Sequence, residues 1–233
     1  MNGTFISLES VSRWFGSGAT LIRALSDISL TLEEGSRTAL VGPSGSGKTT
    51  LLNLVGALDR PTKGKITIKE MVVSGFNEQQ AADFRRNQVG FVFQDDSLFP
   101  ELTLTENVAL PLVLQGLSRA ERRSRARELL TFLGLEMRLD SYPVNLSGGE
   151  KQRAAVARAV IHKPALLLAD EPTANLDADA AEAVLQVIEQ LAGRENLTVL
   201  VSTHDSRVFE RFDRRIRLTD GRLVTQERSG SAR

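Results

Sequence analysis

Gly42-Pro43-Ser44-Gly45-Ser46-Gly47-Lys48-Thr49 has the form G-x-x-x-x-G-K-T. Before it, Thr38-Ala39-Leu40-Val41 reads as a short buried strand, and after it Thr50-Leu51-Leu52-Asn53-Leu54-Val55 reads as the start of a helix. Glycines at these positions let backbone N–H groups turn toward an anion without a Cβ clash. The helix N-terminus adds partial positive charge at the same place. Lys48 can reach the outer phosphates of a nucleotide, and the Thr49 hydroxyl can ligate Mg²⁺. A plain Gly/Ser turn would need neither the Lys-Thr pair nor this order of strand and helix. The stretch therefore predicts binding of a nucleoside triphosphate on an α/β fold with a P-loop NTPase core.

Other apolar runs extend that fold. Segments 90–93, 165–169 and 198–202, like 38–41, are dense in apolar residues rather than alternating, which suits buried strands of a parallel sheet. Segments 4–8, 25–32 and 65–68 alternate better and predict an antiparallel subdomain with one wet face; 214–218 is a further strand. Helices are expected over 48–58, 77–87, 104–115, 119–133, 149–162, 178–191 and 206–212. Ser118 with Glu121 three residues later has the form of a capping box. The stretch from about 95 to 163 lacks buried-strand runs and predicts an all-helical subdomain inserted in the α/β core of a single domain over 1–228, with 229–233 a frayed tail. Arg119, Arg122, Arg123, Arg125 and Arg127 read as a solvated helix face with Glu121 and Glu128, and Leu129, Leu130, Phe132 and Leu133 as helix core.

Composition narrows the class. The 233 residues carry 29 Lys+Arg against 29 Asp+Glu, so no net charge draws the chain to nucleic acid, and none is expected as a partner. There is no cysteine, which excludes disulfides and thiolate metal sites. No run is apolar for the roughly 18 residues of a membrane span, and the N-terminus has no signal-peptide pattern. Any membrane role is expected to pass through a partner.

Leu166-Leu167-Leu168-Ala169-Asp170-Glu171 is an apolar strand ending in two carboxylates. At the carboxyl end of a strand in an open α/β sheet, such groups face the ligand crevice. Asp170 is placed to hold Mg²⁺ through water, and Glu171 to orient or deprotonate an attacking water. In Leu146-Ser147-Gly148-Gly149-Glu150, Ser147 caps a helix whose first residues are glycines. That is either an ordinary N-cap or a second anion site.

Taken together, Gly42–Thr49, Leu146-Ser147-Gly148-Gly149 and Asp170-Glu171 followed by Pro172-Thr173-Ala174-Asn175-Leu176-Asp177 resemble the nucleotide-binding subunits of ABC transporters. Gln94 and His204 fall where that family has its Q-loop and H-loop, and the resemblance runs from about residue 6 to 224. It implies that Gly42, Pro43, Ser44, Gly45, Ser46, Gly47, Lys48, Thr49 and Thr50 hold the phosphates of ATP, and that Thr49 and Gln94 ligate Mg²⁺ with Asp170. It implies that Glu171 is the catalytic base and that His204 supports the γ-phosphate. An aromatic residue stacks on adenine; the family's usual Tyr falls on Phe15, with Trp14 beside it as the alternative. Ser147, Gly148 and Gly149 would close on ATP held by a second copy, in a head-to-tail dimer whose interface Asp177 crosses. Glu150 departs from the family's frequent Gln, and Ala174 from this branch's frequent Gly.

The segments 90–100, 105–112, 57–62 and 174–177 are similar to the lipoprotein-releasing, macrolide-exporter and cell-division branch. The chain stops soon after Val224, so no added regulatory domain is expected. The resemblance implies an ATPase on the cytoplasmic side of the cell membrane that energises a separate permease for lipoproteins, peptides or drugs. The alternative is a cell-division or envelope-regulating ATPase that moves no substrate. An ABC ATPase of DNA repair or translation fits less well, because those carry coiled coils or paired ATPase units.

Overall fold

The computed structural model describes residues 3–205, 208 and 211–228. The expected helix over 206–212 rests mainly on residues outside that set, and the tail 229–233 lies outside it entirely. In the first part of the chain the elements are β1 (Thr4–Phe15), β2 (Ile22–Glu33), β3 (Arg37–Val41), α1 (Lys48–Val55), β4 (Lys63–Ile68), β5 (Met71–Val72), α2 (Glu78–Gln88) and β6 (Val89–Val92). Next come α3 (Leu104–Leu114), α4 (Arg119–Phe132), α5 (Gly148–Val160), β7 (Leu166–Asp170), α6 (Ala178–Glu195), β8 (Thr198–Thr203), β9 (Arg214–Thr219) and β10 (Arg222–Arg228).

One sheet has the order β10-β9-β3-β8-β7-β6. From β9 to β6 its strands are parallel, and only β10 runs antiparallel to its neighbour. The second sheet, β2-β1-β4-β5, is antiparallel throughout. The four apolar-dense runs are the parallel strands β3, β6, β7 and β8, as expected, because their two faces serve two cores. On β7, Leu167 and Ala169 join the core built with α3, α5 and α6, while Leu166 and Leu168 join the core shared with α1 and the antiparallel sheet. On β8, Val199 and Val201 face one core and Leu200 the other. A strand buried on both faces cannot alternate in polarity.

Several boundaries differ from expectation. β1 runs on to Phe15 rather than stopping at Leu8, because bulges around Ser10 (φ 49°) break the two-residue period that the sequence reading depends on. The short β5 and the exposed β10 carry too little apolar pattern to be read. α1 stops at Val55, capped by Gly56 and followed by Ala57 at φ 52°, instead of reaching Leu58.

Between β6 and β7 the described chain holds three α-helices and no strand. All three start with capping boxes: Thr103/Glu106 on α3, the expected Ser118/Glu121 on α4 and Ser147/Glu150 on α5. The cap on α4 occupies Glu121, so the arginine face of that helix pairs elsewhere: Arg123 and Arg127 reach Asp140 at 3.4 and 3.1 Å. Leu130 and Leu133 are core as expected, but Phe132 is exposed, with the Arg194 guanidinium 4.6 Å above its ring.

Candidate functional site

The loop between β3 and α1 delivers Lys48 into a cleft at the carboxyl ends of β3, β7 and β8. Gly47 caps α1 at φ 99°, and a Cβ there would sit 2.6 Å from the Ala24 carbonyl oxygen, so a side chain is excluded on both counts. Lys48 is 6 % exposed. Its ammonium donates to the carbonyl oxygens of Gly42 (2.9 Å) and Pro43 (3.1 Å) and stands 3.5 Å from Glu171 Oε1. Next to it, the Thr49 hydroxyl donates to Asp170 Oδ2 at 2.7 Å, across 121 residues of sequence.

Asp170 is the last residue of β7, and Glu171 follows it at φ 47°, in the left-handed region. The Glu171 carboxylate stands between Lys48 on one side and His204, whose Nδ1 lies 2.6 Å from Oε2, on the other. These side chains line or border one cleft of about 480 Å³, together with Ser44, Gly45, Gly47, Thr50 and Gln94. Thus Lys48, Thr49, Gln94, Asp170 and Glu171 converge, with His204 joined through Glu171. Gly42 and Pro43 serve by their carbonyls, and the Ser46 side chain is buried behind the loop.

Phe15 ends β1, 41 % exposed, with the Arg13 guanidinium 4.4 Å over its ring; its ladder partner Ile22 lines the cleft. Trp14 is half-buried, its ring flanked by Lys63 and Arg23 at 5.0 and 5.8 Å. Ser147, Gly148, Gly149 and Asp177 do not line this cleft. They form a separate group: Gly148 lies against Leu176, and Gly149 is so close to Ala180 that a Cβ would sit 2.8 Å from its Cβ. Ser147 and Glu150 form a capping box, and Glu150 also accepts from Arg138 at 2.8 Å. Burial acts to raise the Glu150 pKa, but the hydrogen bonds from Arg138 and Ser147 outweigh it and hold the carboxyl below its ordinary value. The departure from Gln thus gives the Ser147-Gly148-Gly149 signature turn an ion pair. Asp177 Oδ1 accepts from the Ala180 N–H at 2.8 Å and caps α6.

The sequence reading missed several residues. Ile22, Arg23, Ala24, Asp220 and Gly221 line the cleft from β2 and the β9–β10 turn. Gln152, on α5, donates to the Phe93 carbonyl at 3.2 Å, just before Gln94. No local pattern marks these; only strand pairing and helix packing bring them in.

The residues fit a hard divalent cation. Thr49 and Asp170 offer oxygen donors within one hydrogen bond of each other, and Gln94 lines the same cleft. Among the described residues no group of three or more His, Cys, Asp or Glu could hold a metal by itself. A site of few protein oxygens suits Mg²⁺, which keeps waters and takes substrate phosphates as ligands.

Residues 25–174, more than half of the chain, match the family described as ABC transporter. The chain is 43 % identical over 219 residues to the lipoprotein-releasing system ATP-binding protein LolD of Nitrobacter winogradskyi, covering 94 % of each. It is 40 % identical over 227 residues to the Legionella pneumophila protein of the same name, covering 97 % of this chain and all of that one. It is 44 % identical to the macrolide export ATP-binding/permease protein MacB of Hyphomonas neptunium, covering 97 % of this chain and 35 % of that one. Among solved structures it superposes with the dimeric ATP-binding cassette MJ0796, in a post-hydrolysis state bound to ADP and Pi, with a TM-score of 0.89 and 38 % identity over 96 % of this chain and 98 % of that one. The chain belongs to the ABC transporter family, as its ATP-binding ATPase domain.

Proposed function

We propose that this protein binds Mg²⁺·ATP in the cleft around Lys48, hydrolyses it within a head-to-tail dimer, and so drives a membrane permease that extracts or exports lipoproteins or related amphiphiles. One observation carries the site: Lys48, Thr49, Asp170 and Glu171 converge in a single cleft of about 480 Å³. The loop amides, Lys48 and Thr50 bind the phosphates, and Phe15 stacks on the base. Thr49, Gln94 and Asp170 would hold Mg²⁺, which when bound would offset negative charge on the nucleotide's phosphates. Glu171 accepts a proton from a water whose oxygen attacks the γ-phosphorus, and the bond to the β–γ bridging oxygen breaks. The products are ADP and inorganic phosphate. His204, paired with Glu171 through Nδ1, fixes the carboxylate and faces the γ-phosphate.

The separate group of Ser147, Gly148, Gly149 and Asp177 supports the dimer. These residues do not line the chain's own cleft, and a second copy turned head-to-tail would bring a phosphate to their helix N-terminus. The dimeric state of MJ0796 agrees with a two-copy working unit. The permease partner is supported by the MacB relative, named as an ATP-binding/permease protein, of which this chain matches about a third. Among the described residues no helix is long and apolar enough to cross a membrane, so attachment at the cytoplasmic face would run through that partner. The names of the relatives, lipoprotein release and macrolide export, favour transport over the non-transport alternative.

The test is capture of tagged Glu171→Gln protein from detergent-solubilised membranes with Mg²⁺·ATP, followed by mass spectrometry. A permease with a few spans and a large extracytoplasmic domain is the expected companion. Recovery of soluble proteins or nucleic acid alone would overturn the transport reading and leave the ATPase chemistry.

A further inference from the structure

β8 runs apolar through Val199, Leu200 and Val201 before Ser202, which is 0 % exposed. A buried hydroxyl must find partners, and this one finds them in the catalytic turn. The register of β7 on β8 sets Asp170 opposite Ser202. The Ser202 hydroxyl donates to Asp170 Oδ1 and accepts from the Glu171 N–H at 3.1 Å. The Ser202 carbonyl accepts the same N–H at 3.0 Å. The other oxygen of Asp170, Oδ2, faces Thr49 at 2.7 Å.

Two consequences follow from this geometry. Rotation of the Asp170 carboxylate would break its bond to β8 through Oδ1, so that bond favours the orientation in which Oδ2 faces Thr49. The Glu171 peptide, in a left-handed conformation (φ 47°) that a side chain bearing a Cβ resists, is held by two acceptors from one residue. We propose that Ser202 is a positioning residue for the metal–nucleotide site: it presents Asp170 Oδ2 to Mg²⁺ and pins the backbone of the catalytic Glu171. This rests on the assignment of the cleft to Mg²⁺·ATP. Val, Ala or Ile at 202 would continue the apolar run of β8 and leave Oδ1 without its donor.

The experiment compares wild type with Ser202→Ala and Ser202→Thr. It reads the affinity for a fluorescent ATP analogue in EDTA, the Mg²⁺ concentration that half-restores tight binding, Mn²⁺ binding by electron paramagnetic resonance, and thermal melting. Ser202→Ala is expected to bind the analogue in EDTA within about twofold of wild type, while its Mg²⁺ and Mn²⁺ midpoints rise about tenfold, the scale of one hydrogen bond to a charged group. Ser202→Thr, which keeps the hydroxyl, is expected to return the midpoints to within about threefold of wild type. Should Ser202→Ala not fold, Ser202→Cys, a weaker donor of similar volume, carries the same comparison. Wild-type metal midpoints in a variant lacking the hydroxyl would overturn the proposal. So would an equal loss of binding with and without metal, since that reports a structural role alone. Failure of the wild-type protein to bind the analogue at any Mg²⁺ concentration would instead overturn the nucleotide assignment beneath it.

Discussion

The side-chain amide of Gln152 on α5 donates to the carbonyl oxygen of Phe93, one residue before Gln94, at 3.2 Å. Two turns further along α5, the Arg158 guanidinium donates to the carbonyls of Ser97 (2.7 Å) and Asp96 (3.1 Å). The helix that begins at Ser147-Gly148-Gly149 therefore grips both sides of the segment that carries Gln94. Gln152 is 4 % exposed, so removing its amide leaves the Phe93 carbonyl short of a partner. Gln152→Leu is expected to lose about 1 kcal/mol of stability in chemical denaturation. ATPase activity should fall several-fold more than that of a surface variant of equal stability. Full activity at the lowered stability would show that the grip does not position Gln94.

Glu171→Gln keeps the shape of the side chain and removes its basicity. Turnover should drop by about a thousandfold, the usual scale of a general base, while ATP still binds. With Mg²⁺·ATP the variant should accumulate as a dimer in light scattering. A monomer under those conditions, or hydrolysis at the wild-type rate, would remove Glu171 from its assigned role.

Lys48→Ala removes the one cation that the phosphate loop encloses. Nucleotide affinity in a filter assay should fall roughly a hundredfold, as for loss of charge-assisted hydrogen bonds to the outer phosphates. Unchanged affinity would contradict the placing of the phosphates over this loop.

His162 gives the fold a pH dependence away from the cleft. Its Nε2–H donates to the Val89 carbonyl at 3.2 Å, while Nδ1 has no partner. Burial pushes its pKa below the ordinary 6.5, with the bond to Val89 opposing only in part. The folded state thus favours the neutral ring, and the unfolded chain takes up the proton first. The stability that follows is present above about pH 6.5 and is lost as pH falls from there through the folded value. Denaturation midpoints measured from pH 7.5 to 5 should decline, and His162→Gln should flatten that part of the profile. An identical slope in the variant would assign the decline to other groups.

Gly90 tests the packing of β6 under α5. A Cβ there would lie 2.1 Å from the Ala159 carbonyl oxygen, a backbone atom that cannot swing away. Gly90→Ala should cost about 2 kcal/mol by forcing strand and helix apart. A melting temperature equal to wild type would mean that α5 shifts without cost.

Much of the fold was legible because its signals are local. The phosphate loop, the apolar-dense parallel strands and the Ser118/Glu121 box each depend on residues a few positions apart. The sequence pattern ends β1 early because the bulge near Ser10 breaks the period, and it points the arginines of α4 to Glu121 and Glu128 because Asp140, the partner of Arg123 and Arg127, lies beyond the helix. Gln152 and Ser202 look like ordinary helix and strand polar residues; their roles arise only where α5 crosses the Phe93 carbonyl and β8 pairs with β7.

By itself the amino-acid sequence determined the chemistry on offer: glycines that expose amides to an anion, a lysine and threonine at a helix start, and carboxylates at the end of an apolar strand. Those follow from backbone conformation and side-chain type within single segments. Tertiary structure alone decided how they are aimed. Thr49 meets Asp170 across 121 residues, Ser202 locks that carboxylate across 32, and the signature turn is set apart from the cleft. Such distances are fixed by the order and register of strands in the sheet, which depend on the burial of two cores at once and on no single stretch of the chain.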